Sequence, residues 1–200
     1  NVRFMRISCG EQTMQVLVIG DFHIPSRASM IPEPIMNVIS NKKFDLVLCT
    51  GDLVDEKVLD MLGRFGPVKW VVGNMDYING PKSVKVKLGD FDIGVYHGTG
   101  IYPRGDPKQL YSIAKRLNVD VLIHGHTHAL SIQLFGEVLL LNPGSATGVW
   151  GGGPASLKPS FMILEVRNNE LVVNGYELVG AELKRVTKKY TKTNMGIKEI

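Results

Sequence analysis

The chain has 200 residues, of which 44% are apolar and 21% charged, with two cysteines and a net charge of +4. These values suit one soluble globular domain with a full core and exclude a disulfide scaffold. They also exclude a broadly basic, nucleic-acid-binding body, because residues 184–200 carry six Lys/Arg against one acidic residue, and the rest of the chain sums to −1. Residues 1–13 are polar, lack a strand or helix pattern and lack a signal-peptide apolar core, so they are set aside as an N-terminal extension. No stretch approaches the ~20 apolar residues of a membrane span. With Cys9 and Cys49 isolated from one another, the expected setting is reduced and cytoplasmic, with no membrane partner.

From Met14 onward, apolar runs alternate with helical patterns. Run 14–20 stops at Asp21 and His23, and a short helix is expected near Pro34. Run 45–51 stops at Asp52. Asp55 can cap a helix with Val58, Leu59, Leu62 and Phe65 at helical spacing, ended by Gly66 and Pro67. Run 68–73 stops at Asn74 and Asp76, and run 91–96 at His97. Asp106 as cap and Pro107 at the first helical position open a third helix, with Leu110, Ile113, Ala114 and Leu117 on one face. Run 119–125 then stops at His126 and His128. This alternation predicts parallel strands joined by crossover helices. Beyond His128, runs 129–135, 137–141, 161–166 and 170–178 follow one another without helices, with a turn at Asn168-Asn169. They predict a second, largely antiparallel sheet packed on the first. The glycine-rich stretch 148–154 reads as a surface loop. One domain is expected over 14–183, followed by a basic, solvated tail over 184–200.

Five strand ends thus supply eight candidate metal ligands, and all five histidines fall in or beside them. In an open α/β sheet, residues at the carboxyl ends of strands converge on one crevice. The donors are carboxylate, imidazole and carboxamide without thiolate, a set that suits Mn, Fe, Zn, Ni or Mg. Seven or eight ligands are too many for one ion, whereas two ions sharing a carboxylate would use them and could clamp a displacement at phosphorus. His124, inside an apolar run, reads as a buried hydrogen-bonded histidine rather than a ligand. Asp76 reads as a turn cap or as a group orienting a ligand. The stretch Gly98-Thr99-Gly100 fails as a dinucleotide loop, because Pro103 stands where a third glycine belongs. Thr99 and Arg104 are candidate substrate-phosphate contacts or solvated loop residues.

The series Asp21-Phe22-His23, Gly51-Asp52, Gly73-Asn74-Met75-Asp76, His97-Gly98 and Gly125-His126-Thr127-His128 resembles the calcineurin-like metallophosphoesterases. Within them, Asp21-Phe22-His23-Ile24-Pro25, the run from Asn142 through Gly148, and Pro159-Ser160-Phe161 resemble the small archaeal and bacterial phosphodiesterases and the phosphoesterase-like subunit of retromer. The resemblance implies a four-layer αββα sandwich with two mixed β-sheets. It also implies two divalent metals, Mn first among the choices: Asp21, His23 and His128 on one, Asn74, His97 and His126 on the other, and Asp52 bridging. Asp52, Asn74, Asp76 and His97 would then serve catalysis, with a metal-bridging hydroxide attacking a small phosphodiester. A homodimer is a further expectation from that branch. Met75 departs from the pattern, since many members carry there a histidine thought to protonate the leaving group, and a thioether delivers no proton. The rival expectation is an interaction scaffold with a vestigial site, like the retromer subunit, which has lost ligands that this chain retains. A protein phosphatase is a third reading, weakened by Met75 and the chain's size.

Overall fold

The computed structural model describes residues 13–200, so the expected extension and Cys9 lie outside the described residues, apart from Thr13. In chain order the elements are β1 (Met14–Ile19), α1 (Glu33–Ser40), β2 (Leu46–Cys49), α2 (Lys57–Gly63), β3 (Val68–Trp70), β4 (Ser83–Leu88), β5 (Phe91–Tyr96) and α3 (Pro107–Leu117). They continue as β6 (Val121–His124), β7 (Leu130–Phe135), β8 (Val138–Pro143), β9 (Ser160–Arg167), β10 (Glu170–Val179), β11 (Glu182–Thr193) and β12 (Gly196–Glu199). The strands form a seven-stranded sheet in the order β12-β11-β10-β9-β1-β2-β3 and a five-stranded sheet in the order β4-β5-β6-β8-β7. Both are mixed: β1, β2 and β3 run parallel, as do β5, β6 and β8, and the other pairings are antiparallel.

Period-2 patterning builds the layers. On β1, Val16 and Val18 face the opposing sheet and join Leu48, Ile93, Val95, Ile123, Leu141 and Leu164 in the central core. Their neighbours Leu17 and Ile19 face outward and pack with Ile35, Ile39, Val58 and Leu62 of α1 and α2. On the far side, Leu110, Ile113 and Ala114 of α3 cover Leu122 and Leu140. The result is the expected αββα order. Each fully buried aliphatic side chain contributes roughly 1.5–3 kcal/mol.

Three expectations change. The five ligand-bearing strands are not in one sheet: β1, β2 and β3 belong to the larger sheet, β5 and β6 to the smaller. The strands after His128 do not form a sheet of their own, since β7 and β8 extend the β5-β6 sheet while β9 and β10 extend from β1. The stretch 184–200 is not a solvated tail. It lies in β11 and β12, where Tyr190 and Ile197 enter the central core and β11 pairs with β10 along its length. The lysines that suggested a tail stand on the polar face, where Lys188 meets Glu199 at 3.0 Å and Lys192 meets Asp120 at 2.5 Å.

Helix ends agree in part. Asp106 Oδ2 accepts from Gln109 N at 3.0 Å and caps α3. Asp55 accepts from Lys57 N at 2.9 Å, but Glu56 occupies the cap position of α2. Among the described residues, no helix is long and apolar enough to cross a membrane.

Candidate metal centre

Both sheets end at one crevice, and the predicted ligands meet there. Asp21, His23, Asp52 and His128 form one group and Asp52, His97 and His126 a second, with the ligand atoms of each group within 4.8 Å of one another. Asn74 joins the second through Oδ1, 3.1 Å from His97 Nε2. The Asp52 carboxylate belongs to both groups, its Oδ2 lying 3.3 Å from His23 Nε2 and 3.4 Å from His97 Nε2. Asp21, His23, Asp52, His97 and His128 are each 2% exposed or less, so water does not solvate these charges.

The backbone is bent to bring them in. Asp21, His23, Asp52, His126 and His128 all have positive φ, between 49° and 71°. For non-glycine residues each such conformation costs on the order of 1 kcal/mol and clusters at functional sites. Cross-loop bonds hold the shape: Asp21 N donates to Gly51 O and His23 N to Asp52 O, both at 2.9 Å. Gly73 is required here, because a Cβ on it would lie 2.1 Å from Asp52 Oδ1. Gly73→Ala is therefore expected to displace Asp52 and lower the metal content per chain, measured by elemental analysis, with the circular dichroism spectrum unchanged. Full metal content in that variant would contradict this geometry.

The arrangement fits cations. His97 Nδ1 donates to Thr50 O at 2.7 Å and His128 Nδ1 to Val149 O at 2.6 Å, because a carbonyl can only accept. Each ring therefore turns Nε2 toward the crevice, as ligating histidines do. There His128 Nε2 lies 3.1 Å from His23 Nε2, and His97 Nε2 faces the acceptor oxygens of Asn74 and Asp52. Acceptors gathered this closely need a proton or a metal ion between them. Protons answer part of that need: burial opposes charge on His97, but its hydrogen bond to Asp52 prevails and lifts it to about 9. His128 is also raised, its bond to Asp21 outweighing burial. For Asp52, burial is likewise overcome, by the same His97 bond, and the carboxyl is held at about 2. Burial lowers His23, and burial with the neighbouring His97 charge lowers His126 to about 4; both shifts favour the neutral imidazole, the form that ligates.

The remaining predicted residues separate by role. His124 stays out of both groups: it is buried, its Nδ1 meets Asn142 Nδ2 at 3.1 Å, and burial pushes it down to about 4. Asp76 is an organiser. Its Oδ1 accepts from Leu53 N and Val54 N, and its Oδ2 from Asp52 N and Gly73 N, at 2.6 to 2.9 Å. Thr99 lines a cavity of 220 Å³ with Asn74 and His97. Arg104 donates to Gly151 O at 2.7 Å, and its charge reaches His126.

Other residues were not singled out from the sequence. Ser145 Oγ donates to Asp21 O at 2.7 Å and Thr147 Oγ1 to Phe22 O at 2.9 Å, so the loop after β8 braces the first ligand loop. The Asn142–Gly148 motif was the available signal. Arg27, whose charge reaches His23, and Lys82, which lines the Asn74 cavity, had none.

Comparison with known proteins agrees with this geometry. Residues 14–169 match the calcineurin-like phosphoesterase superfamily domain. A protein of Methanocaldococcus jannaschii named "Probable metallophosphoesterase" is 44% identical over 135 residues, covering 68% of this chain and 69% of that protein. Vacuolar Protein Sorting 29 from Cryptosporidium parvum superposes with a TM-score of 0.86 at 32% identity, covering 90% of this chain and 99% of that one. Wild-type Vps29 from Entamoeba histolytica, in complex with Zn²⁺, gives a TM-score of 0.81 at 38% identity, covering 88% and 99%.

Proposed function

The chain belongs to the calcineurin-like phosphoesterase superfamily, and from that premise we propose that it is a di-metal phosphodiesterase acting on small phosphodiesters. The observation that carries this reading is the Asp52 carboxylate shared between two candidate ligand groups. Asp21, His23 and His128 would hold one divalent ion and Asn74, His97 and His126 the other, with Mn as first choice and Ni, Fe, Zn or Mg as alternatives. The Zn²⁺ complex of Entamoeba Vps29 supports a divalent ion in a fold of this kind. Bound metals supply an activated water nucleophile and neutralise charge gathering on the phosphoryl oxygens.

The chain's own groups do the rest. Thr50 O and Val149 O hold the Nδ1 protons of His97 and His128 and so fix both rings. Arg104 gives one of its guanidinium donors to Gly151 O and keeps others to orient a phosphoryl oxygen. Met75 supplies a backbone N–H to Asp52 Oδ1 at 2.8 Å, but its thioether has no proton for the leaving oxygen. Esters whose leaving group departs as a stable anion are therefore favoured. A diester also brings a single negative charge, one fewer than a monoester dianion.

The similarity to Vps29 favours a second reading, an interaction scaffold that keeps a metal site. One experiment separates the two. The protein is stripped with chelator, Mn, Ni, Mg or Zn is restored singly, and bis(p-nitrophenyl) phosphate is compared with p-nitrophenyl phosphate. Metal-restored cleavage that favours the diester is expected. Two ions bound per chain without turnover would leave the scaffold as the better account.

A further inference from the structure

Three consecutive carbonyls of the glycine-rich loop 148–154 are each held by a side chain from a different part of the crevice rim. His128 Nδ1 donates to Val149 O at 2.6 Å, Arg27 Nη1 to Trp150 O at 2.8 Å, and Arg104 Nη1 to Gly151 O at 2.7 Å. Arg27 follows the β1 ligand loop and Arg104 the β5 loop, so the two clamps come from opposite sheets. Close packing adds to the fixation: a Cβ on Gly151 would lie 2.6 Å from the His128 ring, and one on Gly153 would touch the Arg104 guanidinium at 3.4 Å. Glycines at 148, 151, 152 and 153 would by themselves make a mobile loop. This one is instead fastened to the ring of a candidate ligand.

The loop carries Trp150, whose side chain is 60% exposed although its backbone is fixed. A large aromatic group left in solvent, on a backbone fastened beside His128 and held this firmly, is prepared for a partner. We propose that Trp150 is a stacking platform beside the metal centre for a planar ring, which makes the substrate a nucleoside phosphate. The ring meets the indole while the phosphate meets the ligand crevice and the free donors of Arg104. This deepens the phosphodiesterase reading and rests on it for the phosphate.

The test is calorimetric titration of Mn²⁺-loaded protein with adenosine 5′-monophosphate and with ribose 5-phosphate, which share the phosphate and differ in the base. The nucleotide is expected to bind about tenfold tighter or more, as base–aromatic stacking allows. Trp150→Ala should abolish the preference and Trp150→Phe should retain it. Equal affinities in the parent, a preference surviving Trp150→Ala, or no binding of either compound overturns the proposal. Hydrolysis of bis(p-nitrophenyl) phosphate by the same samples separates the two readings. Turnover without base preference overturns the stacking platform alone, and base preference without turnover overturns the phosphodiesterase alone.

Discussion

Asp52→Asn is expected to lower metal-dependent diester hydrolysis by about 10³-fold or more, the upper end of what one preorganised electrostatic group is worth. Asp52 Oδ1 accepts from Met75 N, and Oδ2 is the oxygen that faces both His23 and His97. An asparagine that keeps its oxygen on Met75 N turns its NH₂ toward those two imidazoles. The shared acceptor then becomes a donor, and the two ligand groups lose their common member. Metal content measured by elemental analysis should fall from two ions per chain to one or none, while the far-UV circular dichroism spectrum stays that of the parent. His97→Ala should act in the same direction on the second group. An Asp52→Asn protein with parental turnover would sink the di-metal mechanism.

Asp76→Ala is expected to cost stability as well as activity. Four backbone N–H groups from two loops converge on its carboxylate, two on each oxygen. Removing it leaves those donors without an acceptor at a site that holds Asp52 at a φ of 53°. Breaking such a network costs about 3–5 kcal/mol. For a chain of this size that corresponds to a melting temperature lower by roughly 10 °C. Asp76→Asn should recover little of it, because the amide NH₂ must face two N–H donors whichever way it turns. Thermal unfolding followed by circular dichroism reads the effect, and an Asp76→Ala protein that melts with the parent would show that the loops keep their shape without the carboxylate.

The ligand positions were legible because each strand is an apolar run that stops abruptly on an acid, a carboxamide or a histidine. Val121-Leu122-Ile123 leading through His124 to His126 and His128 is such a case. Sheet membership was not legible. Leu139 pairs with Val121 and Leu164 with Val16, although both belong to runs of the same character. Pairing between distant strands decides such cases, and no local pattern records it. β4 did carry a signal, Val84, Val86 and Leu88 alternating with Lys85 and Lys87. In β11 the density of lysine hid a strand whose inward positions are few, Tyr190 foremost. Arg27 and Arg104 are single cations in loops, and their targets, the carbonyls of Trp150 and Gly151, have no side-chain identity for a sequence to display.

Because the ligands come from both sheets, the crevice exists only when the two sheets are docked. An ion that binds there binds the closed sandwich and not the open one, so metal concentration enters the docking equilibrium as a mass-action term. Asp52, on the β2 side, and His97, on the β5 side, then act as two halves of a clasp. Ions loaded there would tighten the molecule across its central seam, and chelation would return that seam to the strength of its apolar core alone.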